Sequence, residues 1–220
     1  MNIHLGVNKK AIVLDLGCGN GTQTILNAGR FQKIIGIDPD KQSIELANAK
    51  WQFSQRRERI QFFADTLENM HFQTHFFDGI VSYCVFEHIP NYKEVLSEFY
   101  RILKPGGWLL LSIDSLSVIV EPFLLAKHKS EHHVEKYFKI SEIEELLEKQ
   151  GFENVMVEPK LLSRFAEKLF IKGIINHFRY SKITGIINTG LLFIAEKFNR
   201  RNNEGLFLLV KAYKGKECLQ

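Results

Sequence analysis

The chain has 220 residues, 45% hydrophobic and 25% charged, and carries a net charge of +4. That length and balance describe one soluble globular domain with room for a real core. Three scattered cysteines, Cys18, Cys84 and Cys218, exclude a disulfide framework and a zinc cluster. The opening MNIHLGVNKK lacks the apolar stretch of a secretory signal, and the charge-free run Ile183 to Ala195 is only 13 residues, too short to span a bilayer. A reducing cytoplasm is therefore expected. The charge is local: nine basic residues and two acids lie between Lys160 and Arg201, so that segment holds +7 and the remainder −3.

In chain order, Ala11–Leu16 predicts a buried strand closed by glycines, and Thr22–Ala28 a brief helix stopped at Gly29. Lys33–Asp38 predicts a second strand. Asp40 then caps a helix to about Phe53, its inner side Ile44, Leu46, Ala47 and Trp51. Arg59–Ala64 and Phe77–Tyr83 predict the third and fourth strands. A helix from Asn91 or Tyr92 to Leu103 is terminated by Pro105-Gly106-Gly107, and Trp108–Ile113 reads as a fifth strand covered on both faces. Ser141 and Glu144 suggest a capping box that opens a helix running to Gly151. Phe152–Glu158 and Leu206–Lys214 close the chain as two more strands. The alternation predicts a doubly wound, Rossmann-like α/β sheet of seven strands, the last antiparallel, in one domain over residues 1–220. Two elaborations stand out, residues 115–138 on the substrate side and a helical insertion at 159–203.

The nine residues VLDLGCGNG, Val13 to Gly21, run a strand into a glycine bend. No lysine follows Gly21, so the bend is no P-loop. The glycines fall at 17, 19 and 21, and position 22, where a dinucleotide fingerprint needs its last glycine, is Thr22. Asp15 at the strand end is poorly suited to a pyrophosphate and better suited to a ligand with a cationic amino group.

These residues resemble the class I S-adenosylmethionine-dependent methyltransferases. V-L-D-L-G-C-G-N-G is similar to the family's glycine-rich motif, I-G-I-D-P-D to the end of its second strand, and F-F-A-D-T-L to the end of its third. F-D-G-I-V-S-Y-C-V-F-E-H-I and L-K-P-G-G-W-L-L-L-S resemble its fourth strand with the following turn and its fifth strand. The resemblance covers residues 11–158, and Leu206–Lys214 fits the family's antiparallel last strand. It implies S-adenosylmethionine as cofactor, with S-adenosylhomocysteine as product. The expected cofactor contacts are Asp15, Gly17, Cys18, Gly19 and Gly21 in the bend, and Asp38 with Pro39 on the ribose. Asp65 with Thr66 is expected at the adenine, and Cys84 with Val85 beside the fourth strand. The bare residues also allow Asp38 to cap a helix and Asp65 to sit in a solvated turn.

The resemblance places His88, in F-E-H-I, at the turn facing the sulfonium, as candidate general base; capping a helix or packing the cofactor is its other reading. Glu87 is expected to pair structurally. His132 and His133 are substrate-side candidates, and no metal is expected, since the His128/His132 spacing lacks an H-E-x-x-H context. No [DN]-P-P-[YF] tetrapeptide follows the fourth strand and no Pro-Cys occurs, so the small-molecule branch is favoured. The implied function is methyl transfer to a small or lipid-linked acceptor. The alternatives are an inactive regulatory or scaffold protein that binds the cofactor, and an RNA methyltransferase. Family members usually carry helices ahead of the first strand, whereas ten residues precede Ala11, so residues 115–138 and 159–203 are expected to supply the lid. In the insertion, Leu162, Phe165, Leu169, Ile174 and Phe178 recur at helical spacing among Arg164, Lys168 and Lys172. That pattern predicts a core-packing lid with a basic rim, or a contact with anionic membrane.

Overall fold

The computed structural model describes residues 8–117, 121–178, 182–199 and 205–216. Seven strands form one sheet: β1 (Asn8–Leu16), β2 (Phe31–Ile37), β3 (Ile60–Phe63), β4 (Phe77–Tyr83), β5 (Leu103–Asp114), β6 (Phe152–Lys160) and β7 (Phe207–Lys214). Their order is β3-β2-β1-β4-β5-β7-β6, with β7 antiparallel to both neighbours and the other pairings parallel. The order reverses between β1 and β4. In open α/β sheets such a switch point leaves a crevice at the carboxyl ends of the strands, where ligands bind.

Between the strands lie α1 (Thr22–Asn27), α2 (Lys41–Trp51), α3 (Tyr92–Ile102), α4 (Pro122–Glu131), α5 (Ile140–Gln150), α6 (Arg164–Ile175) and α7 (Lys182–Lys197). The main core fills one sheet face. Val95, Leu96, Phe99 and Ile102 of α3 and Ile143 and Leu147 of α5 pack there on Leu14, Ile80, Leu109 and Leu111. Each such side chain, fully buried, contributes about 1.5–3 kcal/mol. The opposite face holds a smaller cluster of Ala11, Val13, Phe31, Ile34, Val81 and Leu110. Alternation along β1 and β5 thus feeds two cores, as expected for strands covered on both sides.

Local details depart from the sequence expectations. Leu46 of α2 is 57% exposed, while Ile44 and Ala47 carry the buried side. Asp40 does cap α2, accepting from the Gln42 and Ser43 amides. Gly29 sits inside a short 3-10 turn, Ala28–Arg30, instead of stopping the helix. Pro105-Gly106-Gly107 lies within β5, which begins directly at the end of α3, because the Leu103 backbone is already extended. Helix α5 starts before Ser141: Glu142 accepts from the Lys139 amide at 3.0 Å, so the cap is two residues upstream of the expected pair. In α6 the buried side is Ala166, Gly173 and Ile174, with Phe165 and Leu169 only partly buried and Phe178 36% exposed.

Candidate active site

The glycine bend closes on itself through backbone bonds. The Gly17 and Cys18 amides both donate to the Ile37 carbonyl, at 2.8 and 3.1 Å, tying the end of β1 to the end of β2. Gly17, Gly19 and Gly21 have φ of 70°, 50° and 72°, a region open to glycine at little cost. A Cβ on Gly17 would stand 2.3 Å from Cγ2 of Val85, just past β4, so only glycine lets the two strand ends approach. Around a Cβ on Gly19 there is no atom within 4 Å, so this backbone faces open space.

Asp38 borders that space. Its Oδ2 accepts from the Gly19 amide at 2.9 Å and its Oδ1 from the Asp40 amide at 2.9 Å. Each carboxylate oxygen keeps a further lone pair for an incoming hydroxyl. Asp15 is 2% exposed, and its Oδ2 accepts from the Thr24 hydroxyl at 2.6 Å. Burial, opposed by the Thr24 bond and reinforced by the Asp38 charge, pushes the Asp15 carboxyl up to about 7. The same burial drives the Cys18 thiol well above its usual value, so it stays protonated. At the end of β3, Asp65 accepts from the Thr66 amide at 2.8 Å and from the Asn69 side chain at 2.9 Å. Pro39 is exposed between Asp38 and the α2 cap. Asp15, Gly17, Cys18, Gly19, Asp38 and Val85 therefore form one constellation, with Gly21 closing the bend through its bond to the Cys18 carbonyl and Asp65 and Thr66 one strand further out.

Across the switch point, the turn after β4 carries Cys84 at φ 52°, its amide donating to the Ser112 carbonyl at 2.8 Å. Cys84 is exposed, yet its thiol is desolvated among protein atoms. That desolvation, with the Asp114 and Glu87 charges, pushes the thiol up to about 12, so it is no nucleophile at neutral pH. His88 follows in a 3-10 turn, Phe86–His88, with Nδ1 3.2 Å from the His133 carbonyl. A carbonyl only accepts, so this contact assigns the proton to Nδ1 and leaves Nε2 as the basic nitrogen. His133 thus reaches His88 through its main chain. His132 stacks on His128, ring centroids 4.5 Å apart, at the end of α4.

Sequence reasoning missed Asp114 and weighed His128 only for its spacing to His132. Glu87 is fully buried, as its expected structural role requires, and one of its oxygens accepts from the Asp114 amide at 3.0 Å. Burial, then the Glu87 charge, push Asp114 up to about 7, and burial raises Glu87 as well. Ligand atoms of Cys84, Glu87 and Asp114 lie within 4.8 Å of one another. His128 Nε2 is 3.9 Å from Asp114, and its Nδ1 is 2.9 Å from the Tyr137 hydroxyl. Burial lowers His128 to about 4, so it is neutral at pH 7. The available signal was an acid at a strand end, as at Asp15; its partner, 27 residues away, left no local trace.

This pair makes a stability prediction. The folded Asp114 binds its proton more tightly than the unfolded chain does, so its contribution falls as pH rises from about 4 to about 7. Asp114→Asn mimics the protonated acid and should be about 1–3 kcal/mol more stable than wild type at pH 8, the gap vanishing near pH 4. Asp15 acts with the same sign and His128 with the opposite one, so the difference between the two proteins reports Asp114 together with its neighbour Glu87. Denaturant melts at several pH values measure it, and parallel curves would refute the raised Asp114 carboxyl.

Beside Asp114, a cavity of about 650 Å³ opens between the segment after β5 (Ser115, Ser117), α4 (Leu125), the segment leading into α5 (Tyr137) and the first turn of α5 (Ser141). Its size is that of a small-molecule site.

A family model described as "Methyltransferase domain" matches residues 14–111. The mitochondrial ubiquinone biosynthesis O-methyltransferase of Rattus norvegicus is 30% identical over 149 residues, 63% of this chain and 43% of that protein. The sterol 24-C-methyltransferase of Pneumocystis carinii is 28% identical over 163 residues, 71% of this chain and 43% of that protein. Among solved structures, phosphoethanolamine N-methyltransferase 2 of Haemonchus contortus, in complex with S-adenosyl-L-methionine, superposes with a TM-score of 0.69 at 21% identity, over 94% of this chain and 49% of that one. The chain spans under half the length of these three proteins.

Proposed function

We propose that the chain is a class I S-adenosylmethionine-dependent methyltransferase, transferring a methyl group from S-adenosylmethionine to a small or lipid-linked acceptor, a reading supported by the family model and the methyltransferase relatives. The observation that carries this reading is the bend itself: three left-handed glycines, open space at Gly19, and the Asp38 carboxylate with spare acceptor capacity at its rim. A ligand with a ribose diol and an ammonium group fits this donor and acceptor set. Asp38 would accept from the ribose hydroxyls, with Pro39 turning the chain beside it, and Asp65 with Thr66 would meet the adenine. Asp15 would face the amino group, with Gly17, Cys18, Gly19 and Gly21 providing the close backbone. Cys84 and Val85 would wall the β4 side.

The bound cofactor supplies an activated methyl on a sulfonium, so the protein's task is orientation and exclusion of water. His88 Nε2 would take the acceptor's proton. Tyr137, whose hydroxyl bonds to His128, lines the large cavity on the acceptor side. The cavity, His132 and His133 would make up that side, and residues 115–138 and 159–203 its cover.

Titration calorimetry with S-adenosylhomocysteine tests the cofactor reading, and Asp15 adds a pH signature. An ammonium ligand favours the ionised carboxylate, so affinity should rise as pH climbs through about 7. It should be about tenfold higher at pH 8 than at pH 6, with proton release seen in buffers of different ionisation enthalpy. Asp15→Asn should flatten that dependence, and a pH-independent wild type would remove Asp15 from the site. Heat with NAD and none with S-adenosylhomocysteine would overturn the assignment. Screening extracts with radiolabelled cofactor finds the acceptor; tight binding with no labelled product would favour an inactive regulatory protein.

A further inference from the structure

Helix α7 presents its apolar stripe outward. Ile187, Leu191, Ile194 and Phe198 are 55%, 47%, 54% and 75% exposed, and their spacing of four, three and four puts them on one helix face. The inner side is held by Leu192, packed on the cluster around Ala166 and Ile174, and by Glu196, which accepts from the Leu162 and Ser163 amides at 2.9 Å each. The acid of α7 is thus turned inward. Lys197 of α7 and Arg164, Lys168 and Lys172 of the adjoining α6 are exposed. Beneath α7 lies an apolar cavity of about 250 Å³, lined by Leu192, Phe170, Leu169 and their neighbours.

We propose that α7 is an interfacial helix whose Ile187–Phe198 stripe seats the protein on an anionic lipid surface. The sequence suggested a membrane contact for the insertion 159–203 from its Leu162–Phe178 stripe; the exposed stripe lies on α7 instead. A solvent-facing helix normally turns its apolar stripe to the core, and contiguous exposed apolar surface marks a binding face. No helix among the described residues is long and apolar enough to cross a membrane, so α7 lies along the surface. The basic rim complements anionic headgroups.

A second copy of the chain is the competing occupant, since the four-three-four spacing also suits a helix pair. The stripe, however, is four partly exposed side chains along one helix, a narrow strip against the ~800 Å² that a stable interface buries on each side. Pairing would also bring two basic segments together, and like charges across an interface oppose association. A lipid surface needs no such matching area from a partner.

The test is flotation of the full chain with phosphatidylcholine vesicles containing phosphatidylglycerol, against vesicles of phosphatidylcholine alone, at low and high salt. Binding should require the anionic lipid and weaken with salt. Ile194→Glu with Phe198→Glu should lower partitioning by about tenfold or more. Both positions are exposed, so the thermal midpoint and the affinity for S-adenosylhomocysteine should stay as in wild type. Wild type that binds neither vesicle, or a double variant that binds like wild type, would overturn the proposal. So would a concentration-dependent dimer in sedimentation that the double variant abolishes. Cofactor affinity on the same samples separates the two readings: vesicle binding by a protein that takes up no S-adenosylhomocysteine would support the surface and sink the proposed function.

Discussion

His88→Asn is expected to lower the methyl-transfer rate by about 10²–10⁴-fold, the usual worth of a positioned general base, while S-adenosylhomocysteine affinity stays within about twofold. Asparagine can keep a donor near the Nδ1 position, so the contact with the His133 carbonyl can survive and the turn need not collapse. What is lost is the second nitrogen. The tautomer argument makes this test specific, because a backbone carbonyl at 3.2 Å leaves Nε2 as the nitrogen able to take a proton. Steady-state kinetics with an identified acceptor would show the loss in kcat, and the rise of rate with pH should flatten. A decrease below tenfold with an unchanged pH profile would reduce His88 to a packing residue beside the acceptor, as could happen with a nucleophile that arrives deprotonated.

Gly17→Ala should destabilise the protein by about 2–4 kcal/mol and weaken S-adenosylhomocysteine binding by roughly a hundredfold. Two costs combine. Alanine at φ 70° adopts a left-handed conformation that its Cβ disfavours, and the same Cβ meets Val85 Cγ2 at 2.3 Å and Cγ1 at 2.7 Å. Both contacts are to a short, branched side chain fixed at the end of β4, so relief requires the strand ends to part. The crevice at the switch point then changes shape. Gly19→Ala is the matched comparison, since no atom lies within 4 Å of its Cβ position. There the fold should lose only about 1 kcal/mol from backbone strain, while binding falls about tenfold or more if the cofactor fills that space. Thermal melts and calorimetry on both variants give the pattern. Equal binding losses with equal stability losses would show that the bend is a folding element and not a cradle.

The fold was legible because its signals are local. An apolar run closed by glycines, such as Ala11–Leu16 before Gly17, announces a strand and its end, and five such units in order allow few topologies. Asp40 as a helix cap was readable for the same reason, because its partners are two and three residues away. The bend with Asp15 and Asp38 could be located at the carboxyl ends of its strands from pattern alone.

Pairings between distant residues were beyond that reach. Glu87 and Asp114 meet because β4 and β5 are neighbours and their ends are buried together; taken singly, each acid reads as solvated or structural. His128 is neutral because it is buried against Tyr137 and Phe170, with His132 and His88 nearby to oppose its protonation. Helix α7 shows the limit most plainly. Period 3.6 identifies which residues share a face, and Ile187, Leu191, Ile194 and Phe198 do. It carries no information on whether that face meets the core or the solvent. The direction was decided when Glu196 and Leu192, on the other side of the helix, found their partners in the body of the protein, because a helix can bury only the side it docks and whatever stands opposite is left facing out.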